Sequence, residues 1–396
     1  MFKAWMLPLA LLSSGTAIAQ TAANAPVVSP DVKPNAQDNA GLRKVGAEVL
    51  FWSQAQRDAN FPHMEKIFPG HIAKAGKKVR RLPQGKQLAI PESEIESFLD
   101  AQNVGGLIVL KNGRIVLERY ARGYGAQGRW TSFSVAKSFT STLVGAAIRD
   151  GFIKSVDEPV TKYIPELVGS GYDGVSIAQL LTMTSGVKWN EDYTSPTSDV
   201  ARMFIEPVPA GVDPTVHYMK KLPREFAPGS KWVYKTGETN LIGVLVMRAT
   251  KRPLATYLSQ KIWSKGMEQD AFWMTDPSGN EVSGCCLSVS LRDYARLGQF
   301  ALEGGKGVVP AHWFAEATRS HADVGPPGSG YGYGYQWWTY PNGRIGAQGI
   351  FGQTIRIDPK AKVVIVISAA APKATDQAYG KARTAFLEKL FAAAAN

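Results

Sequence analysis

The sequence predicts an α+β protein: one antiparallel sheet built from strands near both ends of the chain, flanked by helices, with a mainly helical lobe inserted between them. Three observations lead there. Strand-like apolar runs occur early, around residues 106–118, and again late, around 334–368. The stretch from Gly151 to about Ser290 is helical and loop-rich in character. The 396 residues are 44% hydrophobic and 20% charged, which suits a globular protein with a sizeable core.

The elements follow in order. Residues 1–19 have Lys3 at the start, an apolar run from Trp5 to Leu12 and a small-x-small site, Ala17-Ile18-Ala19, before Gln20. This is the pattern of a secretory signal peptide, so the protein is expected to be exported to the periplasm or secreted. No Cys stands at the cleavage point, so no lipid anchor is expected. Residues 20–45 lack periodicity and read as a disordered lead-in. A sheet lobe is expected over 46–150 and 291–396, and the helical lobe over 151–290. Within the first, Gly46 to Asn60 suggests a short helix and Ile95 to Gln102 another. Gly106–Leu110 and Arg114–Glu118 flank Lys111-Asn112-Gly113 as a hairpin with Asn-Gly in its turn. A helix is expected from Ser134 to Asp150. In the helical lobe, Val175 to Thr184 reads as a helix with Ser176 as N-cap; Leu241 to Ala249 is apolar, Leu254 to Ile262 amphipathic. Leu291 to Leu302 is a further helix. Gly334–Thr339, Gln353–Asp358 and Val363–Ser368 read as strands, and Phe386 to Ala394 as a closing helix.

Composition narrows the function. The formal charge of +12 favours anionic surfaces or acidic substrates. The basic residues are dispersed and follow no zinc-finger or basic-helix pattern, so nucleic acid is not an expected partner. No apolar run is long enough for a transmembrane segment. Two cysteines and five scattered histidines give no metal-ligand spacing, and no cofactor is expected. Adjacent cysteines make a strained disulfide, so Cys285 and Cys286 are expected to be two small buried residues. The sequence leaves the oligomeric state open.

Chemistry concentrates at Ser134-Val135-Ala136-Lys137, which opens the helix carrying Leu143, Val144, Ala147 and Ile148. Residues three apart share a helix face, so the Lys137 amine can lie beside the Ser134 hydroxyl. Serine needs an adjacent base to act as a nucleophile, and lysine can be that base where burial lowers its pKa. The Ser134 amide at a helix start can stabilise developing negative charge. A second copy, Ser185-Gly186-Val187-Lys188, has no amphipathic helix behind it and reads as a loop. Acyl transfer also needs a proton route and an oxyanion hole. Tyr234 ends an extended run in front of a helix, after the Pro228-Gly229 turn, and is the candidate relay, set between two lysine-like cations. Gly346-Ala347-Gln348-Gly349-Ile350-Phe351-Gly352 is glycine-spaced between strand-like runs, so the Ile350 amide can join that of Ser134.

These three elements, in this order, resemble the serine β-lactamase and penicillin-binding-protein superfamily, known by its Ser-x-x-Lys motif. The likeness covers about Val104 to the C-terminus. Trp189-Asn190-Glu191-Asp192-Tyr193, Ser198-Asp199-Val200 and Leu291 to Gly298 are similar to the 6-aminohexanoate-dimer (nylon-oligomer) hydrolases and class-C-like esterases. The resemblance implies a β-lactamase-like fold, Ser134 as nucleophile, Lys137 as base, Tyr234 as second acid/base, Ser134 and Ile350 as oxyanion donors, and Tyr193, Thr236, Gln348 and Gly349 as substrate contacts. Thr236 stands where Asn is usual, and Ala347-Gln348-Gly349 carries no cation, which disfavours β-lactams unless Lys235 or Arg344 substitutes. Three readings compete: an exported serine hydrolase of small esters or linear amides, a β-lactamase or D-amino-acid peptidase, and an inactive binding or sensor domain.

Overall fold

The computed structural model describes residue 46 and residues 48–395; the expected leader and lead-in lie outside the described residues. The helices run α1 Gln54–Asn60, α2 Glu92–Ala101, α3 Val135–Arg149, α4 Ile177–Leu181, α5 Asp199–Ile205, α6 Pro214–Met219, α7 Thr236–Thr250, α8 Leu254–Lys261, α9 Leu291–Leu302, α10 Trp313–Ala317 and α11 Gln377–Ala395. The strands are β1 Gly70–Ala73, β2 Val104–Lys111, β3 Arg114–Tyr120, β4 Trp130–Thr131, β5 Ala271–Met274, β6 Leu287–Val289, β7 Ala322–Asp323, β8 Gly332–Tyr333, β9 Trp338–Thr339, β10 Ile345–Gln348, β11 Thr354–Asp358 and β12 Val363–Ala369.

The main sheet is antiparallel in the order β3-β2-β12-β11-β10-β9-β8-β7, so the two chain ends meet where β2 pairs with β12. Its alternation shows in β12. Val363, Ile365 and Ile367 face Phe98 of α2 and Leu387 and Leu390 of α11, while Val364 and Val366 face the central core with Leu297 of α9. Each face is buried by helices, as a two-sided apolar strand requires. This is the α+β architecture and β-lactamase-like fold that the sequence predicts.

A second sheet, β1-β5-β6-β4, corrects the sequence reading, because β5 and β6 lie in a stretch expected to be helical. Ala271-Phe272-Trp273-Met274 is buried at every position, so it shows no alternation to mark it as a strand. Here β4 pairs with β6, and Leu287 N donates to Ser132 Oγ at 3.0 Å, which fixes the chain just before Ser134. Of the expected strand 334–339 only Trp338–Thr339 is strand, β9; residues 334–337 form the turn from β8, with the Gln336 side chain reaching Thr239 and the Leu181 carbonyl. The helix expected from 175 to 184 is only α4, with Ser176 and Gln179 forming its capping box. The last helix begins nine residues earlier than expected, at Gln377 rather than Phe386. Its first half is polar, and Asp376 Oδ1 accepts the Tyr379 amide at 2.9 Å.

Candidate active site

Phe133, immediately before Ser134, has φ 42°, unusual for a bulky residue. Its ring is held edge-on by Phe61 and Phe351, at centroid distances of 5.0 and 5.1 Å. This strained turn puts Ser134 at the N-cap of α3. Ser134 lines a cleft of about 400 Å³ with Tyr193, Tyr234, Gln348, Gly349 and Ile350. The Ser134 and Ile350 amides are left over from the turn and helix hydrogen bonding of the described residues. A larger hollow of about 1160 Å³ lies beneath the proline-rich 207–214 segment and contains none of these groups.

Lys137 lies on the next turn of α3 and is 1% exposed. Burial pushes its amine down to about 7, partly opposed by the negative charge of Glu191. Its Nζ donates to Thr236 Oγ1 at 3.0 Å and to the Gly284 carbonyl at 2.7 Å. A Cβ at Gly284 would stand 3.1 Å from Nζ and 2.9 Å from Asn240 Oδ1, so only glycine brings that carbonyl this close to the amine.

Tyr234 lies two residues ahead of α7, which packs against α3. Its ring stacks on Trp338 at 5.7 Å and meets Tyr333 edge-on at 6.1 Å. Its side chain lines the same cleft as Ser134, which works weakly against the rise in its pKa. Burial, together with the Glu191 charge, raises its pKa well above the ordinary phenol value, so it carries its proton at neutral pH. One lysine accompanies it: Lys137 Nζ lies 5.4 Å from its ring centroid. Lys235 turns away and sits 3.5 Å from the buried Glu238 carboxylate, so the expected second cation is not there.

Thr236 is committed inward. Its hydroxyl accepts from Lys137 and donates to Glu191 Oε1, and its amide donates to Glu191 Oε2 at 2.8 Å. Glu191 also accepts from Trp189 Nε1 and, at 2.6 Å, from the Tyr193 hydroxyl. The segment bearing Tyr193 is thus tied to the floor of the site, and Asp199 secures its base by accepting Asn190 N at 2.7 Å. Gln348 donates to the Tyr340 hydroxyl at 2.6 Å. Sequence reasoning missed Glu191 as a functional residue; one acid in a polar segment carries no spacing signal.

A small apolar recess beside Ser134 is walled by Thr236, Ile350, Cys285 and Cys286. The two cysteines form a disulfide, against expectation. The backbone turns left-handed at Cys286, φ 71°, and adjacent sulfurs meet there. Neither expected substitute cation reaches the cleft. Lys235 is buried on Glu238, and Arg344 pairs with Asp358 and Glu388. The cations that line it are Lys373 and Arg383, from the polar approach to α11 and its first turns.

A serine at the head of a helix, with a buried lysine one turn on and a tyrosine just ahead of the neighbouring helix, defines a β-lactamase-type protein. The chain belongs to that family: the family model described as Beta-lactamase matches residues 92–388. Within it, the chain is 31% identical over 304 residues to a 6-aminohexanoate-dimer hydrolase of Paenarthrobacter ureafaciens, covering 70% of this chain and 76% of that one. A solved putative 6-aminohexanoate-dimer hydrolase from Bacillus anthracis superposes with a TM-score of 0.74 at 26% identity, over 85% of this chain and 94% of the other. A D-stereospecific amidohydrolase from Streptomyces shares the fold, with a TM-score of 0.57 at 19% identity over 73% and 97% of the two chains.

Proposed function

We propose that the protein is an exported serine hydrolase that cleaves linear amides and small esters through an acyl-serine intermediate. The observation that carries this reading is the pairing at Ser134. A protonated Tyr234 lines the cleft beside it, and a buried lysine whose amine is held near 7 lies one helical turn on. In the proposed cycle the Ser134 oxygen attacks the substrate carbonyl carbon and its proton passes to the neutral Lys137 amine. The carbonyl oxygen, now negative, is held by the Ser134 and Ile350 amides. The bond to the leaving amine or alcohol then breaks, and the leaving group takes a proton from Tyr234, which recovers one from Lys137. Water attacks the acyl-serine, delivers its proton to the same relay, and releases the acid while Ser134 regains its hydrogen. The likeness to a 6-aminohexanoate-dimer hydrolase favours linear amides as the leading substrate class. A second reading, turnover of β-lactams, draws on Lys373 and Arg383, which give the cleft cations that its third motif lacks.

The test is labelling by a fluorophosphonate followed by peptide mapping, with rates on 4-nitrophenyl butyrate, a linear 6-aminohexanoate dimer and nitrocefin. The adduct is expected on Ser134, with the amide dimer and the ester turned over faster than nitrocefin. A protein that is neither labelled nor active on any of the three is not a serine hydrolase.

A further inference from the structure

The Gly284 carbonyl that meets Lys137 is the last peptide oxygen before the Cys285–Cys286 disulfide, so the acceptor for the base and the cross-link share one turn. That turn is tied down on both sides. On the near side Gly284 N donates to Asn240 Oδ1 at 2.7 Å and Cys285 N to the Val282 carbonyl at 3.2 Å. On the far side the Cys285 carbonyl accepts from Trp273 Nε1 and the Cys286 carbonyl from Met274 N, both at 3.1 Å. Between these anchors Cys286 stands at φ 71°, a left-handed conformation that is costly for a residue with a Cβ and persists only where the surroundings enforce it. Joining adjacent sulfurs closes a small ring through the intervening peptide, and that ring enforces the bend.

The sulfurs also stand beside the chemistry. Cys285 and Cys286 wall the recess of about 50 Å³ next to Ser134, together with Thr236. Two thiols need more room than a bonded pair, and in a packed interior with the turn anchored on either side, that recess is the open direction. Of the two acceptors of Lys137 Nζ, Thr236 Oγ1 is itself fixed by Glu191, whereas the Gly284 carbonyl depends on the cross-linked turn. The titratable groups that face Lys137 are Glu191 and Tyr234, while Lys235 is turned onto Glu238. Cys286 is buried, but Cys285 is half-buried and within reach of a small reductant.

We propose that the Cys285–Cys286 disulfide is a positioning element for the base: closed, it holds the Gly284 carbonyl on Lys137, and opened to two thiols it releases that carbonyl, so that the protein works in its oxidised form and is switched down by dithiols. The proposal rests on the serine-hydrolase reading for its effect on turnover and adds redox control to it. In the opening step a dithiol gives up two electrons and two protons. The S–S bond breaks, each cysteine sulfur gains a hydrogen, and the reductant closes to its own disulfide.

The test begins with the cross-link. Alkylation and intact mass should find no thiol in the protein as isolated and two after dithiothreitol; two thiols at the outset overturn the proposal. Reduced wild type, freed of reductant by gel filtration under nitrogen, is then assayed on 4-nitrophenyl butyrate. Its kcat is expected to fall about tenfold or more, as for a displaced catalytic group, and to return on reoxidation with diamide, with circular dichroism showing the same fold throughout. An unchanged kcat overturns the proposal. Should the reduced protein lose its fold, Cys285→Ser/Cys286→Gly decides, because glycine accepts φ 71° without the bond. It is expected to fold, to be slower than oxidised wild type by about tenfold, and to ignore dithiothreitol. A variant as fast as oxidised wild type overturns the proposal. The Lys137 amine gives a readout free of turnover. In Ser134→Ala protein with lysines carrying 13C at the ε carbon, its titration midpoint should lie lower by about 0.5 pH or more after reduction, because the carbonyl favours the charged amine and its loss is that of an ordinary hydrogen bond. A midpoint that stays or rises overturns the positioning role. If wild type hydrolyses no ester in either state while the midpoint still falls, the hydrolase reading fails and the link between the disulfide and Lys137 stands.

Discussion

The chain contains Ser-x-x-Lys twice, and the two copies have opposite fates. Ser134 heads the 15-residue helix α3 and opens onto a cleft, with Lys137 buried behind it. Ser185 is wholly buried in a loop, its hydroxyl given to the Glu238 carboxylate, while Lys188 points into solvent. In the first copy the serine is reachable and the lysine desolvated; in the second the serine is sealed and the lysine hydrated. Reactivity depends on that exchange of environments rather than on the motif. A lysine becomes a base at neutral pH only when its charged form is made costly, and a hydroxyl becomes a nucleophile only when substrate can reach it.

The sharpest way to break this contrast is to remove the first serine. Ser134→Ala should abolish fluorophosphonate labelling and acyl-enzyme formation while the protein stays folded, since a 9%-exposed hydroxyl at a cleft wall leaves little void. Intact-mass analysis of protein trapped with substrate checks it. A covalent adduct persisting in Ser134→Ala would falsify the assignment.

The next largest effects fall on its partners. Lys137→Ala and Tyr234→Phe should each lower kcat by roughly 10²-fold or more, the usual loss for a positioned acid or base. Combined, they should cost far less than the product of the two, because they form one relay through Ser134. Single-turnover rates on 4-nitrophenyl butyrate measure this. An unchanged rate in Tyr234→Phe would remove that residue from the relay.

A smaller effect concerns pH. Because burial holds the Lys137 amine near 7 and the neutral form is the base, kcat/KM should rise as pH passes through about 7. Glu191 favours the charged amine and therefore raises that pKa against the burial effect. Removing its charge in Glu191→Gln should shift the rising limb to lower pH. The same change loosens the tether to Tyr193, so KM should rise as well. A limb that stays fixed or moves upward would show that Lys137 is not the titrating group.

How far the sequence foretells this arrangement depends on how local each signal is. The Ser134 helix is legible because its apolar residues continue in register behind the motif, and the β2–β3 hairpin because Asn112-Gly113 dictates its turn. The strands β5 and β6 are not legible, since full burial erases alternation. Arg383 is invisible as a site residue for another reason. It sits in the polar first half of α11, before any apolar period begins, and only the pairing of β12 with its neighbours carries that helix back to Gly352, 31 residues earlier in the chain. Glu191 likewise gains its meaning from Thr236, 45 residues away, through two hydrogen bonds that no spacing rule encodes.

The smallest expected change belongs to the second copy of the motif, and there stability and activity should part. Ser185 Oγ donates to Glu238 and accepts the Val187 amide at 3.1 Å. Ser185→Ala removes both bonds from a buried place, but Glu238 keeps Lys235 at 3.5 Å and the Tyr172 hydroxyl at 3.4 Å. The loss should therefore be about 1 kcal/mol of stability, near the ordinary worth of a buried hydrogen bond, with kcat/KM for 4-nitrophenyl butyrate changed by no more than a few fold. Lys188→Ala removes an exposed side chain and should alter neither quantity. Denaturant unfolding and ester kinetics on the same preparations separate the two readouts. A folded Ser185→Ala that cannot be acylated would reverse the comparison, because the sealed serine would then be the one that chemistry requires.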